Sequence, residues 1–189
     1  ELDNHMSTLH VENLKGLSSG GNANKIIVPS GQTLDASAGV LTPSANQIVQ
    51  SVTGRFTTTY TVSTQGYTSV GSLAITPKFA NSKILITTTN HVYVNSGTAN
   101  EWRAANVKLL RDSSEILEGS QYDTGLYSNS GTTRFMVAST VQHHDTPNTT
   151  SAVTYSIQYN RRNSDTANII INHPGYGRQG FMLLQEIKQ

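Results

Sequence analysis

The chain has 189 residues, with 13 Lys and Arg against 12 Asp and Glu, for a formal net charge of +1. Charged residues make up 13% of it, about half the usual share of roughly 25%, while Ser, Thr and Asn supply 61 positions. There is no basic block, no cysteine, and no apolar run near the ~18 residues of a membrane span, which argues against a nucleic-acid footprint, disulfide or thiolate–metal chemistry, and membrane insertion by a helix.

Hydroxyl and amide side chains compete for backbone groups inside helices, whereas Thr suits strands and Asn suits turns, so the composition points to an all-β fold. The opening residues lack a signal-peptide pattern, and a Sec-type export signal is not expected. Residues 1–5 (ELDNH) precede Met6 and read as a cloning remnant, so residues 6–189 are expected to be nearly all of the natural protein.

Residues 6–47 form the first region. Residues 7–47 hold no aromatic, and their apolar positions come in twos and threes between SSGGNAN, PSG and SAG. Such a segment cannot bury enough surface to fold alone. A disordered tail, a linker, or a strand-and-turn segment completed by association all fit it. Residues 7–17 (STLHVENLKGL) read as extended, although Leu14 and Leu17 also fit helical spacing. Ile26, Ile27 and Val28 look like the start of a buried strand, stopped at once by Pro29, Ser30 and Gly31.

Residues 48–189 form the second region, a series of strands. Residues 47–63 alternate around Val52, Phe56, Tyr60 and Val62, with Gly54 read as a bulge. A short strand at 70–75 stops at Thr76-Pro77. Residues 83–94 alternate Ile84, Ile86, Val92 and Val94. Residues 104–118 form a hairpin turning at Arg111-Asp112-Ser113-Ser114, and 119–133 form a long polar loop carrying Tyr122 and Tyr127. Strands then come at 135–142, 152–161, 167–172 and 181–187. About eight strands with polar turns predict a β-sandwich of jelly-roll type rather than a βαβ fold.

Few motifs carry chemistry. GYGRQG (175–180) matches the dinucleotide spacing, but only nine residues come after it. The site needs a helix, a further strand and an acid about 20 residues on, so it reads as a glycine-rich loop before the last strand. His143 and His144 are metal-capable, yet neighbours on a strand point to opposite faces, so they read as a polar strand end. Histidines meeting across a symmetry axis remain an alternative. Asp112 with Glu115, and Glu118 with Asp123, sit in turn or loop segments and read as solvated rather than as a hydrolytic pair. No G-x-S-x-G elbow is present, and no catalytic residue or cofactor is assigned. Asn148-Thr149-Thr150 fits a glycosylation sequon without a secretion signal to give it meaning.

The chemistry of the second region is that of contact. Tyr gives a large, rigid surface at low entropy cost, and small polar neighbours supply adaptable hydrogen bonds. Trp102 with Arg103, Tyr122, Tyr127, and Tyr176 with Arg178 are therefore the candidate receptor-binding residues.

MSTLHVENLKG followed by GNANKIIVPSGQTLDASAGVLTP resembles the N-terminal part of small tail-fibre-like structural proteins of tailed, especially marine, bacteriophages. SLAITPKFANSKILITTTNHVYV, TSAVTYSIQY and GFMLLQEIKQ resemble the β-sandwich knob of such fibres. The resemblance implies a non-enzymatic virion fibre, a homotrimer whose N-terminal segment joins other virion proteins. Its knob would touch a host-surface glycan or protein. A head fibre, decoration or adaptor protein without host contact is the alternative, and a carbohydrate-active enzyme is a third. Burial by three chains would then place Ile26, Ile27, Val28 and Leu34 at the trimer axis.

Overall fold

The computed structural model describes residues 18–20, 26–32, 43–63, 65–96, 99–118, 124–129, 131, 133–162, 168–176 and 179–189. The chain divides into two compact units, Glu1–Thr42 and Pro43–Gln189. In the first unit, Ile26, Ile27 and Val28 form no strand and stand 55%, 57% and 40% exposed. They have β-propensity, but the described residues of this unit include no strand for them to pair with. The turn after them forms as expected. The Gln32 N–H donates to the Pro29 carbonyl at 3.1 Å, and Gly31 has φ 82°, the sign that the third position of a type II turn requires. Leu34, the SAG turn and residues 7–17 lie outside the described residues.

Among the described residues, the second unit contains eleven antiparallel strands: β1 Ile48–Phe56, β2 Tyr60–Val62, β3 Thr68–Ile75, β4 Lys83–Ser96, β5 Glu101–Arg111, β6 Ser114–Glu118, β7 Thr124–Ser128, β8 Thr133–Asp145, β9 Val153–Arg161, β10 Asn168–Ile171 and β11 Gly180–Ile187. Three pairs of these lie end to end. β10 and β11 share one flank of β4, meeting its residues 92–95 and 83–89, and β8 runs along the other flank. β1 and β2 lie end to end against β11 and β10. β6 and β7 lie end to end against β5.

Eleven segments therefore occupy eight lanes, four in each of two sheets. Counting lanes in chain order, one sheet runs first, eighth, third, sixth (β1/β2, β10/β11, β4, β8). The other runs second, seventh, fourth, fifth (β3, β9, β5, β6/β7). That interleaving, with partners distant in sequence lying side by side, is the double Greek key of a jelly roll. The all-β sandwich expected from the sequence is the fold observed.

Strand alternation accounts for the core. Ile84, Ile86, Val92 and Val94 of β4 point inward with Met182 and Leu184 of β11. They share one buried cluster with Ala105, Val107 and Leu109 of β5 and Val153, Tyr155, Ile157 and Tyr159 of β9. Each fully buried aliphatic contributes about 1.5–3 kcal/mol against leaving it in water.

Three expectations are corrected. Gly54 is not a bulge, because it lies in regular register opposite Met182, while the irregularity in β1 falls between Ile48 and Gln50. A Cβ at position 54 would come 3.1 Å from Leu73 Cδ1, so glycine there makes room for a side chain of the facing sheet. The single strand over 47–63 is broken at 57–59, where Thr59 Oγ1 donates to the Asn172 carbonyl at 2.9 Å. The polar stretch 119–133 is not all loop, since β7 lies within it.

Partly buried polar groups hold one end of the sandwich. Asp145 on β8 accepts two hydrogen bonds from Arg111 Nη1 at 2.9 and 3.0 Å, and one from the Tyr155 hydroxyl at 2.7 Å. One carboxylate thus clasps the two sheets. Burial, with the bond to Asp145, pushes the Tyr155 phenol far above its ordinary pKa, so it remains a donor. At the same end, the Asn46 N–H donates to the Lys188 carbonyl at 2.7 Å and the Lys188 N–H to the Gln47 carbonyl at 3.0 Å.

At the level of the breaks, Asn172 (φ 57°) closes the gap between β10 and β11. Its N–H donates to the His91 carbonyl at 2.8 Å, its Oδ1 accepts the His91 N–H at 3.1 Å, and its Nδ2 donates to Asn90 Oδ1 at 3.1 Å.

Candidate functional site

The outer face of the β3–β9–β5–β6/β7 sheet carries the contact chemistry. Trp102 on β5 and Tyr127 on β7 are direct cross-strand partners. Their rings meet edge to face with centroids 5.3 Å apart at 61°, an arrangement favoured by ring quadrupoles. Both stay in water, Trp102 at 39% and Tyr127 at 47% exposure. The Arg162 guanidinium, just past β9, sits 5.4 Å from the Trp102 ring centroid. The Arg162 N–H donates to the Ala104 carbonyl at 3.2 Å, which ties that residue to β5.

The result is a small aromatic platform with a guanidinium beside it. It lies at the end of the sandwich remote from the Asn46–Lys188 ladder. β4 starts beside that ladder at Lys83, opposite Ile187, and runs away from it to Ser96. β5 opens five residues later with Glu101 and Trp102.

Further along the same face the charges neutralise one another. Lys108 Nζ lies 4.2 Å from the Tyr67 ring centroid and 3.5 Å from Glu115. The Tyr67 hydroxyl donates to Glu118 at 3.0 Å. Asp112, at φ 54° in the β5–β6 turn, accepts the Thr154 N–H at 2.9 Å. Asp112, Glu115 and Glu118 thus have structural partners, and Asp123 lies outside the described residues.

Of the residues singled out from the sequence, Trp102 and Tyr127 come together. Arg103 does not join them. Alternation turns it inward from the Trp102 face, fully buried, with Nη1 3.4 Å from the Glu101 carbonyl. Tyr176 falls in the 3-10 turn Pro174–Tyr176, within the expected loop before the last strand. Tyr122 and Arg178 lie outside the described residues. His143 and His144 are on β8 opposite Ile86 and Leu85, so they take opposite faces. Among the described residues, no group of three His, Cys, Asp or Glu could hold a metal ion.

Arg162 was missed by sequence reasoning. The strand at 152–161 is visible, but the meeting of Arg162, just past its end, with Trp102 depends on the β5–β9 register, which a sequence does not display.

The fold is a jelly roll with an exposed aromatic pair at one end. No protein-family model and no curated protein matches the sequence. Among solved structures, one of infectious bursal disease virus, Gx strain, is similar over 84% of this chain and 42% of its own, at 12% identity and TM-score 0.36. A VP2 protein of the same virus in derived T=1 particles is similar over 84% and 40%, at 10% identity and TM-score 0.35. Dimeric latent PorU from Porphyromonas gingivalis is similar over 89% and 15%, at 10% identity and TM-score 0.30. The chain spans about two fifths of the length of these viral chains. The jelly-roll assignment rests on the strand order of the two sheets and not on these overlaps.

Proposed function

We propose that the chain is a non-enzymatic structural protein of a virion, a homotrimeric fibre whose jelly-roll knob binds a host-surface glycan. Residues 6–47 would join it to other virion proteins. The observation that carries the binding reading is the exposed Trp102–Tyr127 pair with Arg162 beside it. The C–H face of a sugar ring stacks on an aromatic, while a guanidinium donates to its hydroxyls.

Binding to susceptible cells, or to their immobilised surface glycans, is the test. Trp102→Ala is expected to reduce binding at least tenfold with an unchanged circular dichroism spectrum. Full binding by that variant would remove the platform from the reading. If the wild type fails to bind cells yet labels the capsid of intact particles, the head-fibre or decoration alternative takes its place.

The trimer is supported by Ile26, Ile27 and Val28, three adjacent β-branched residues that a single chain leaves in water. Three copies could turn them toward a common axis. Light scattering is expected to report three times the chain mass of 20.4 kDa. A mass of one chain would overturn the assembly and leave the glycan reading to its own test.

A further inference from the structure

We propose that a second cleft, at the edge of the β3–β9–β5–β6/β7 sheet opposite Trp102, binds one anionic sugar unit, a pyranose bearing a carboxylate or a sulfate. The cleft has a volume of about 340 Å³ and lies where β1 and β2 of one sheet approach β3 of the other. Two irregularities open it. One is the break at 57–59, pinned by Thr59, and the other is a bulge in β3 between Ser69 and Gly71. Bulges commonly re-aim side chains beside binding sites. Gly71 is required there, because a Cβ would fall on the Phe56 ring, which packs directly against that backbone.

The walls carry Arg55, Thr57, Thr58, Tyr60, Ser69 and Ser72, with no carboxylate among the lining residues. None of these six side chains makes a hydrogen bond or ion pair among the described residues. One guanidinium residue and five hydroxyl residues therefore line one cleft without a side-chain partner among the described residues. Its volume is at the low end of ligand sites, roughly 300–1,000 Å³, which suits one ring and not a long chain. Arg55 presents a planar fork that matches a carboxylate or sulfate with two parallel bonds. The hydroxyls both donate and accept, as ring hydroxyls demand. A wall of this kind favours a polyol over an apolar ligand.

The test is saturation-transfer NMR on the full chain carrying Trp102→Ala, so that the aromatic platform contributes no sugar binding, with glucuronic acid, glucose 6-sulfate and glucose as probes. Saturable binding is expected for an acidic sugar and none for glucose. The stronger of the two acids identifies the anionic group. Added to that background, Arg55→Ala should weaken the binding at least tenfold and Arg55→Lys should retain part of it. Ser72→Ala, which keeps the charge, should weaken it a few-fold. Glucose binding as well as the acids, no binding by either acid, or unaltered binding by Arg55→Ala would each overturn the proposal. The Trp102→Ala background keeps its failure separate from that of the aromatic platform.

Discussion

Glu186→Ala is expected to lower the thermal unfolding midpoint by roughly 6–12 °C, about 3 kcal/mol for a chain of this size. Glu186 is on β11, fully buried, and points into the sandwich. Its carboxylate accepts the Lys78 N–H at 2.9 and 3.0 Å, the Phe79 N–H at 3.0 Å and the Gln50 side-chain amide at 2.6 Å. Alanine would leave two main-chain donors without their acceptor and would take one of the two acceptors of the Gln50 amide, which keeps the Thr76 carbonyl at 2.7 Å; each donor left unmet costs about 1–3 kcal/mol. Part of that cost would be relieved by movement of the 76–82 turn, which is why the expected total is below the simple sum.

The pH dependence arises from the same geometry. Burial pushes the Glu186 carboxyl upward, but the hydrogen bonds from Lys78, Gln50 and Phe79 outweigh it and hold the group below the usual carboxylate value. The folded state therefore binds this proton less readily than the unfolded state. The stabilisation is complete above the ordinary carboxylate range and is lost as pH falls through the lower folded value. Wild-type stability should fall below about pH 4, and Glu186→Gln should start lower and show a flatter acid limb. Parallel curves for the two proteins in denaturant titrations at pH 3 and pH 7 would refute this account.

The second large effect is expected at Gly180, the first residue of β11. A Cβ there would fall on Asn90 Oδ1 and come 2.7 Å from Asn172 Nδ2, entering the hydrogen bond that joins the two asparagines. Gly180→Ala should cost about 3 kcal/mol, combining overpacking with a broken buried hydrogen bond. Gly54→Ala is the control. Its nearest obstacle is the far end of the Leu73 side chain at 3.1 Å, which can turn away, so a cost below about 1 kcal/mol is expected. Equal losses in urea titrations would show that the asparagine pair is not what makes position 180 special.

These two sites also show what the sequence reveals and what it hides. Ile84, Ile86, Val92 and Val94 were legible as inward residues because a period of two needs no knowledge of partners. The residues between Ile86 and His91, Thr87-Thr88-Thr89-Asn90, are all polar and carry no such signal. Yet Thr88 and Asn90 are fully buried, with Thr88 Oγ1 donating to the Phe181 carbonyl at 3.0 Å. Their partners Phe181 and Asn172 are 93 and 82 residues away, so only cross-strand register discloses them. The break at 57–59 is hidden for the same reason, since Arg55-Phe56-Thr57-Thr58-Thr59-Tyr60 is uniformly strand-like and Asn172 creates the interruption.

The candidate site divides along the same line. Trp102 and Tyr127 stood out by type. Arg103 was paired with Trp102 by adjacency, although the alternation that separates His143 from His144 separates them too. Arg55 and Arg162 carried no local signal, because what gives each its place is a neighbour from a distant strand.

The paired hydrogen bonds between Asn46, Gln47 and Lys188 have a practical consequence. They bring the entry and exit of the jelly roll together at one pole, while Trp102, Tyr127 and Arg162 occupy the other. Such a unit has a handle and a display surface. A fluorophore or fusion partner attached after Gln189 leaves the aromatic rings uncovered, whereas one attached at Asn100, beside the start of β5, would shade them. Immobilising the protein through Gln189 therefore points its rings toward whatever flows past, and immobilising it through Asn100 turns them to the support.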